Sequence, residues 1–264
     1  MENIEALCIT LKPQSKSTIE SIQKIKKLGF KKIKIIKAVE GVKLSKDELK
    51  KILSVRDFYE LEKGRYVHEA FSGKESVGCF LSHLECWKEC LEKGKEIAIF
   101  EDDFNINEEI NFNEIINNSY NEFVKNNYDI LRITPIKTNH YIQTEEKKLD
   151  FLYKINREHC LSGYILTPKA AEYLVKYHQP ISCQADHYIN FICHNYDLKQ
   201  YGITKNIFKD GIRPTTLKHN NLLKYDIDCS TESSNTTLWW VFFIFLIIII
   251  ILVVILEYNI DIKK

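Results

Sequence analysis

Residues 238–256, LWWVFFIFLIIIIILVVIL, run for 19 positions without a charge. At about 1.5 Å per residue, a helix of this length spans roughly the hydrocarbon layer of a bilayer. A helix in a globular domain keeps a polar side, whereas this run is apolar on every face. The reading is a transmembrane helix, with Trp239 and Trp240 at one interface and Glu257 and Tyr258 at the other. It divides the chain into a domain over 1–217, a polar stalk over 218–237 ending in STESSNTT, the span over 238–256 and a short tail over 257–264.

So short a tail implies insertion after the rest of the chain is made. The expectation is a single-pass C-terminal tail anchor in a membrane, with the large domain on the cytosolic side. MENIEALCITLK at the N-terminus lacks the basic segment and long apolar run of a signal peptide. Lys218 and Lys224 before the span and Lys263 and Lys264 after it give orientation no charge bias. The sequons at Asn117 and Asn235 are what an Asn-rich chain produces by chance.

Net charge is +1, from 37 basic and 36 acidic residues, and no block of one sign exists. A nucleic-acid partner is therefore not expected. The eight cysteines include no CxxC pair, which argues against a zinc ribbon, and reduced, buried thiols are the default. Cys79, His83, Cys86 and Cys90 share a helical stripe, but Cys79 and Cys90 would lie about 16 Å apart along a helix, too far for one ion. Packing is the expected use.

The domain alternates strands and helices, as an α/β layered fold does. IEALCIT reads as a buried strand. The next segment, SKSTIESIQKIKKLGF, spaces Ile19, Ile22, Ile25 and Leu28 as a helix that stops at Gly29. KKIKIIKAVEG is a second strand with a glycine turn, and one polar helix is expected from Ser45 to about Lys63. In ESVGCFLSHLECWKECLEKG, the stripe Val77, Phe80, Leu84, Trp87 and Leu91 marks a helix closed by Gly94. EIAIFEDD, YDILRIT and HCLSGYILT read as further strands, the last followed by a helix from Pro168.

The segment EIAIFEDD runs from apolar residues into Glu101, Asp102 and Asp103 at a strand's carboxyl end, where open α/β sheets collect ligands. Strand alternation would put Glu101 and Asp103 on one face. There they could grip one divalent ion that bridges two phosphates of a leaving nucleoside diphosphate. A charged loop after a strand is the bland alternative.

The longer pattern ESVGCFLSHLECWKEC…IAIFEDDF resembles the signature of the family 25 glycosyltransferases, which include lipo-oligosaccharide and procollagen galactosyltransferases. Gly78, Cys79, Ser82, His83 and Trp87 match its helix, and Glu101, Asp102 and Asp103 match its strand end. The likeness extends over roughly residues 4 to 215, through AVEG, YDILRI and LSGYILTPKAAEYLVKY to Asp186. It implies a GT-A-like nucleotide-diphospho-sugar fold with a mixed sheet flanked by helices. It also implies a UDP-sugar donor, often UDP-galactose, a divalent cation such as Mn²⁺, and inversion at the anomeric carbon. Glu101 and Asp103 would be the metal ligands. Gly78, Ser82, His83 and Asp102 would lie on the donor side, and Asp186 would be the base. For Asp186 the alternative is an N-cap of the following helix; for His83 it is a satisfied histidine under the sheet. LKPQSKST departs from the family's Asp-Arg-rich loop, leaving Lys12 or Lys16 to take over its contacts.

An acceptor hydroxyl on a glycan, a lipid-linked sugar or a protein would serve equally. Two other functions are open: a binding or adhesion module on a decayed transferase, and a two-metal phosphoesterase, which lacks His-rich companions.

Overall fold

The computed structural model describes residues 1–204 apart from Glu2, Tyr66, His68, 107–110, 134–149 and 156–158. The stalk, the apolar span and the tail lie outside the described residues. Among the described residues no helix is long and apolar enough to cross a membrane.

Seven strands form one mixed sheet: β1 (Glu5–Thr10), β2 (Lys32–Lys37), β3 (Ile97–Glu101), β4 (Ile130–Arg132), β5 (Leu152–Lys154), β6 (Gly163–Leu166) and β7 (Gln200–Ile203), in the order β2-β1-β3-β6-β4-β7-β5. Strand β1 runs parallel to β2 and β3, and β4 is parallel to β7. Strand β6 is antiparallel to both β3 and β4. Edge strand β2 is largely exposed and carries Lys32, Lys34 and Lys37, charges that discourage a further strand from pairing.

Helices cover both faces, so β3, β4, β6 and β7 are buried almost throughout. One face packs Ala6, Cys8, Ala98, Phe100, Leu131 and Ile165 against α1 (Lys16–Lys27) and α5 (Phe112–Lys125). The other packs Leu7, Ile9, Ile97, Ile99, Ile130, Tyr164 and Leu166 against α4 (Lys74–Lys93), α6 (Pro168–Lys176) and α7 (Ala185–Asn195).

Several expectations need correction. The single helix over 45–63 is two, α2 (Lys46–Ile52) and α3 (Val55–Lys63). Leu53 breaks out to pair with Ile181, and Ser54 caps the second helix by accepting from the Asp57 N–H. In α1, Ile25 and Leu28 are buried while Ile19 is exposed, and Leu91 of the α4 stripe is exposed too. Strands β5 and β7 and helix α5 went unread. The seven cysteines among the described residues are free, and Cys86 and Cys90 sit in the α4-side core.

Candidate active site

Strand β3 stops at Glu101 and the chain turns through Asp102 and Asp103, so Glu101 and Asp102 point to opposite faces of the sheet. The alternation argument for Glu101 and Asp103 therefore does not apply beyond Glu101. Asp102 accepts from the Thr10 hydroxyl and, at 3.5 Å, from that of Thr18, while Ser21 Oγ donates to its carbonyl at 2.7 Å. Its charge thus sits at the start of α1, the end of a helix that favours an anion.

Glu101 turns to the α4 face. His83 Nε2 lies 3.0 Å from Glu101 Oε1, and Cys79 Sγ lies 3.8 Å from the same oxygen. On the other side of the ring, His83 Nδ1 is 2.9 Å from the Tyr164 hydroxyl, to which Trp87 Nε1 donates at 2.8 Å. His83, Trp87 and Tyr164 are all fully buried. An indole can only donate, so the phenol oxygen accepts from Trp87 and its own proton is available for Nδ1. Nε2–H then points at Glu101. His83 is both a satisfied histidine under the sheet and the group that orients the carboxylate.

Gly78 and Ser82 are engaged in packing. A Cβ on Gly78 would come within 2.5 Å of the Val39 carbonyl, so only glycine lets α4 lie against the 39–41 segment. Ser82 Oγ accepts from the Val39 N–H at 2.8 Å and donates to the Gly78 carbonyl at 2.7 Å. Lys12 and Lys16 are exposed in and after the loop that follows β1.

Asp186 stands in the first turn of α7, whose N-cap is Gln184, so it is not the cap. Its Oδ1 accepts from the His187 N–H at 2.9 Å and its Oδ2 from the Cys160 N–H at 3.0 Å. Cys160 has a left-handed φ of 68°. Its carbonyl accepts from Arg132 Nη1 at 2.9 Å, a buried guanidinium that also lies over the Tyr164 ring.

The acids meet around two thiols. Cys79 is pushed well above the ordinary thiol range by burial, then by Glu101, Asp186 and Asp103. Cys160 keeps an exposed surface, yet lost hydration on its inner side, then Glu101 and Asp186, push its thiol up to about 12, with Arg132 opposing and Asp103 adding. Carboxylates from the end of β3 and the start of α7 therefore share one locality. Two clusters each bring three metal-type ligand atoms within 4.8 Å of one another: Cys79, His83 and Glu101 in one, His159, Asp186 and His187 in the other. The first suits an ion poorly, since its thiol is held protonated and its imidazole is spent on Glu101 and Tyr164. The second offers two imidazoles and a carboxylate.

Sequence reasoning missed Arg132, Tyr164, Cys160, His159 and His187. The one available signal was a lone arginine inside the apolar strand LRI, since a buried charge needs a reason.

A model described as glycosyltransferase family 25 (LPS biosynthesis protein) matches residues 4–189. The chain belongs to glycosyltransferase family 25. For this family 25 chain no curated protein matches. Among solved structures, it resembles a UDP-glucose pyrophosphorylase complexed with UDP-glucose, at 13% identity and TM-score 0.43, over 79% of this chain and 91% of that one. It also resembles a putative glucose-1-phosphate thymidylyltransferase from Bacillus anthracis in complex with a sucrose, at 10% identity and TM-score 0.38, over 75% and 86%. The 4-diphosphocytidyl-2C-methyl-D-erythritol synthase of Anaerococcus prevotii matches at 14% and TM-score 0.38, over 79% and 90%. Likenesses this distant carry no argument about the family 25 site.

Proposed function

We propose that this family 25 chain is an inverting, membrane-tethered glycosyltransferase of the GT-A type. It would move a sugar, galactose in our reading, from a UDP-sugar to a hydroxyl of a glycan, a lipid-linked sugar or a protein. The observation that carries the reading is the family 25 match over residues 4–189, whose acids stand here as Glu101, held by His83 at the end of β3, and Asp186, held by the Cys160 N–H.

Carboxylate oxygens suit a hard divalent cation such as Mn²⁺, and such a crowd of acids gains from one. Glu101 and Asp103 would hold it. When bound, the cation supplies positive charge against the departing nucleoside diphosphate. Asp186 takes the proton of the acceptor hydroxyl as general base. Its two backbone N–H partners fix the carboxylate's direction. His83 keeps Glu101 oriented from below.

The decisive assay is UDP-sugar turnover by the detergent-solubilised chain across several donors, with and without Mn²⁺. Asp103→Asn should abolish Mn²⁺-dependent UDP binding while leaving the melting temperature unchanged. Equal UDP binding by wild type and variant in calorimetry removes the metal role. Tight UDP binding without turnover of any donor would favour the binding module instead.

The membrane tether would be the apolar run 238–256, and in this reading the catalytic domain faces the cytosol. In microsomes, protease should digest the catalytic domain without detergent. Protection together with a glycan on Asn117 or Asn235 would put the domain on the lumenal side and sink this topology.

A further inference from the structure

Arg132 is 1% exposed, on the last residue of β4. Its partners are the Cys160 carbonyl, the Gln200 side-chain oxygen at 3.3 Å and the face of Tyr164, with no carboxylate among them. Its Nε–H is buried without a hydrogen-bond partner among the described residues. An ionised guanidinium taken out of water with no paired anion is among the costliest groups a fold can contain. Burial alone would select methionine or leucine here.

The geometry around it shows what the charge holds. One arm of the fork reaches the Cys160 carbonyl, and the N–H of the same residue donates to Asp186 at the start of α7. The other arm reaches Gln200, whose Nε2 donates to Asn190 Oδ1 at 3.1 Å, one helical turn beyond Asp186. The bonds close a ring: Arg132, Cys160, Asp186, along α7 to Asn190, Gln200 and back. The left-handed φ of Cys160, unusual for a residue with a side chain, lies inside that ring.

We propose that Arg132 is a positioning residue of the transferase site, a buried cation that fixes the Cys160 peptide and α7 so that the Asp186 carboxylate faces the acids of β3. This rests on the reading of Asp186 as the base. The two-armed guanidinium matters as much as the charge, because an ammonium is a point donor and cannot reproduce the planar fork.

The test uses the full chain in detergent with Arg132→Met, Arg132→Lys, Asp186→Asn and the Arg132→Met/Asp186→Asn double variant. Four quantities are read: UDP-galactose turnover, UDP affinity, melting temperature and hydrogen exchange at the Cys160 amide. Arg132→Met should melt no lower than wild type and bind UDP within about threefold, yet turn over at least ~30-fold more slowly. Its Cys160 amide should exchange faster. Arg132→Lys should fall between the two in turnover. The double variant should be no slower than Asp186→Asn alone, because the arginine acts through that carboxylate.

A lowered melting temperature with unchanged turnover per folded molecule would make Arg132 structural and overturn the proposal. So would additive losses in the double variant, or an unchanged exchange rate at Cys160. If Asp186→Asn leaves turnover intact, the base assignment fails and the proposal with it. If wild type turns over no donor, the exchange rate still judges whether Arg132 fixes the Cys160 peptide.

Discussion

The two faces of the sheet are built from the same strands and differ in kind. Toward α1 and α5 the core is aliphatic and phenylalanine-rich, with Phe30 and Phe100 in edge-to-face contact, Cys8 its thiol among the described residues, and the buried hydroxyls of Thr10, Thr18 and Ser21 gathered at the rim on Asp102. Toward α4 and α7 the core carries His83, Trp87, Tyr164 and Arg132 in one connected polar run that ends on Glu101 and Asp186. A fold needs only the first kind of face. The second is retained at a cost in desolvation, and what it gains is direction for two carboxylates.

The comparison breaks most readily at Asp186. Asp186→Asn should cut turnover by ~10²–10⁴, the usual worth of a general base, with UDP affinity nearly unchanged. Equal losses in binding and turnover would instead make Asp186 a packing residue of α7.

Neighbouring residues on β6 give a sharper contrast. Tyr164→Phe strands the Trp87 N–H and His83 Nδ1 inside the polar face, for a loss of about 2–4 kcal/mol in denaturant unfolding. It should also weaken Mn²⁺-dependent UDP binding, because Glu101 loses its fixed donor. Ile165→Val, one residue along on the apolar face, should cost only about 1 kcal/mol. Turnover and UDP affinity should not move; a change in either would mean the faces are not functionally distinct.

The smallest effect at neutral pH concerns the thiols. Burial, and next Asp102, raises Cys8 on the apolar face from 9.0 to about 12. On the other face burial raises Cys90 and Cys193 to about 12 as well. A raised thiol pKa means the unfolded chain loses its proton first. The stability this represents is intact below pH 9 and is lost progressively as pH climbs toward 12. Melting temperature should decline over that window. Replacing Cys90 and Cys193 with alanine should flatten the decline more than replacing Cys8 alone.

Much of the frame was legible in the residues. Periodicity announced α1 and α4, Pro168 announced α6, alternation announced β2, and apolar runs announced β1, β3, β4 and β6. Helix α5 hid behind asparagines, although Ile115, Ile116, Ser119 and Phe123 form its buried side. QYGI of β7 lacks the composition of a strand, yet all four residues are buried because Gln200 answers Arg132 and Gly202 makes room for Tyr153. The acids were found as a local run. Asp186 was reached through the family resemblance, but its partners Arg132 and Cys160 were not, since they lie far from it in sequence and meet it only through strand pairing.

The reversal of β6 has a consequence of its own. Were every strand parallel, the rim where β3 and β4 finish would collect only finishing segments, and the residue before β6 would emerge at the far side of the molecule. Because β6 runs backward between them, its start lies beside their ends, where the Glu101 N–H donates to the Ser162 carbonyl. The rim thus combines side chains leaving one strand with peptide groups leading into another. An arginine closing β4 can grip a peptide two residues upstream of Ser162, and that peptide can present its N–H to a helix from still later in the chain. Three stretches of sequence share one corner because a single strand was laid down the other way.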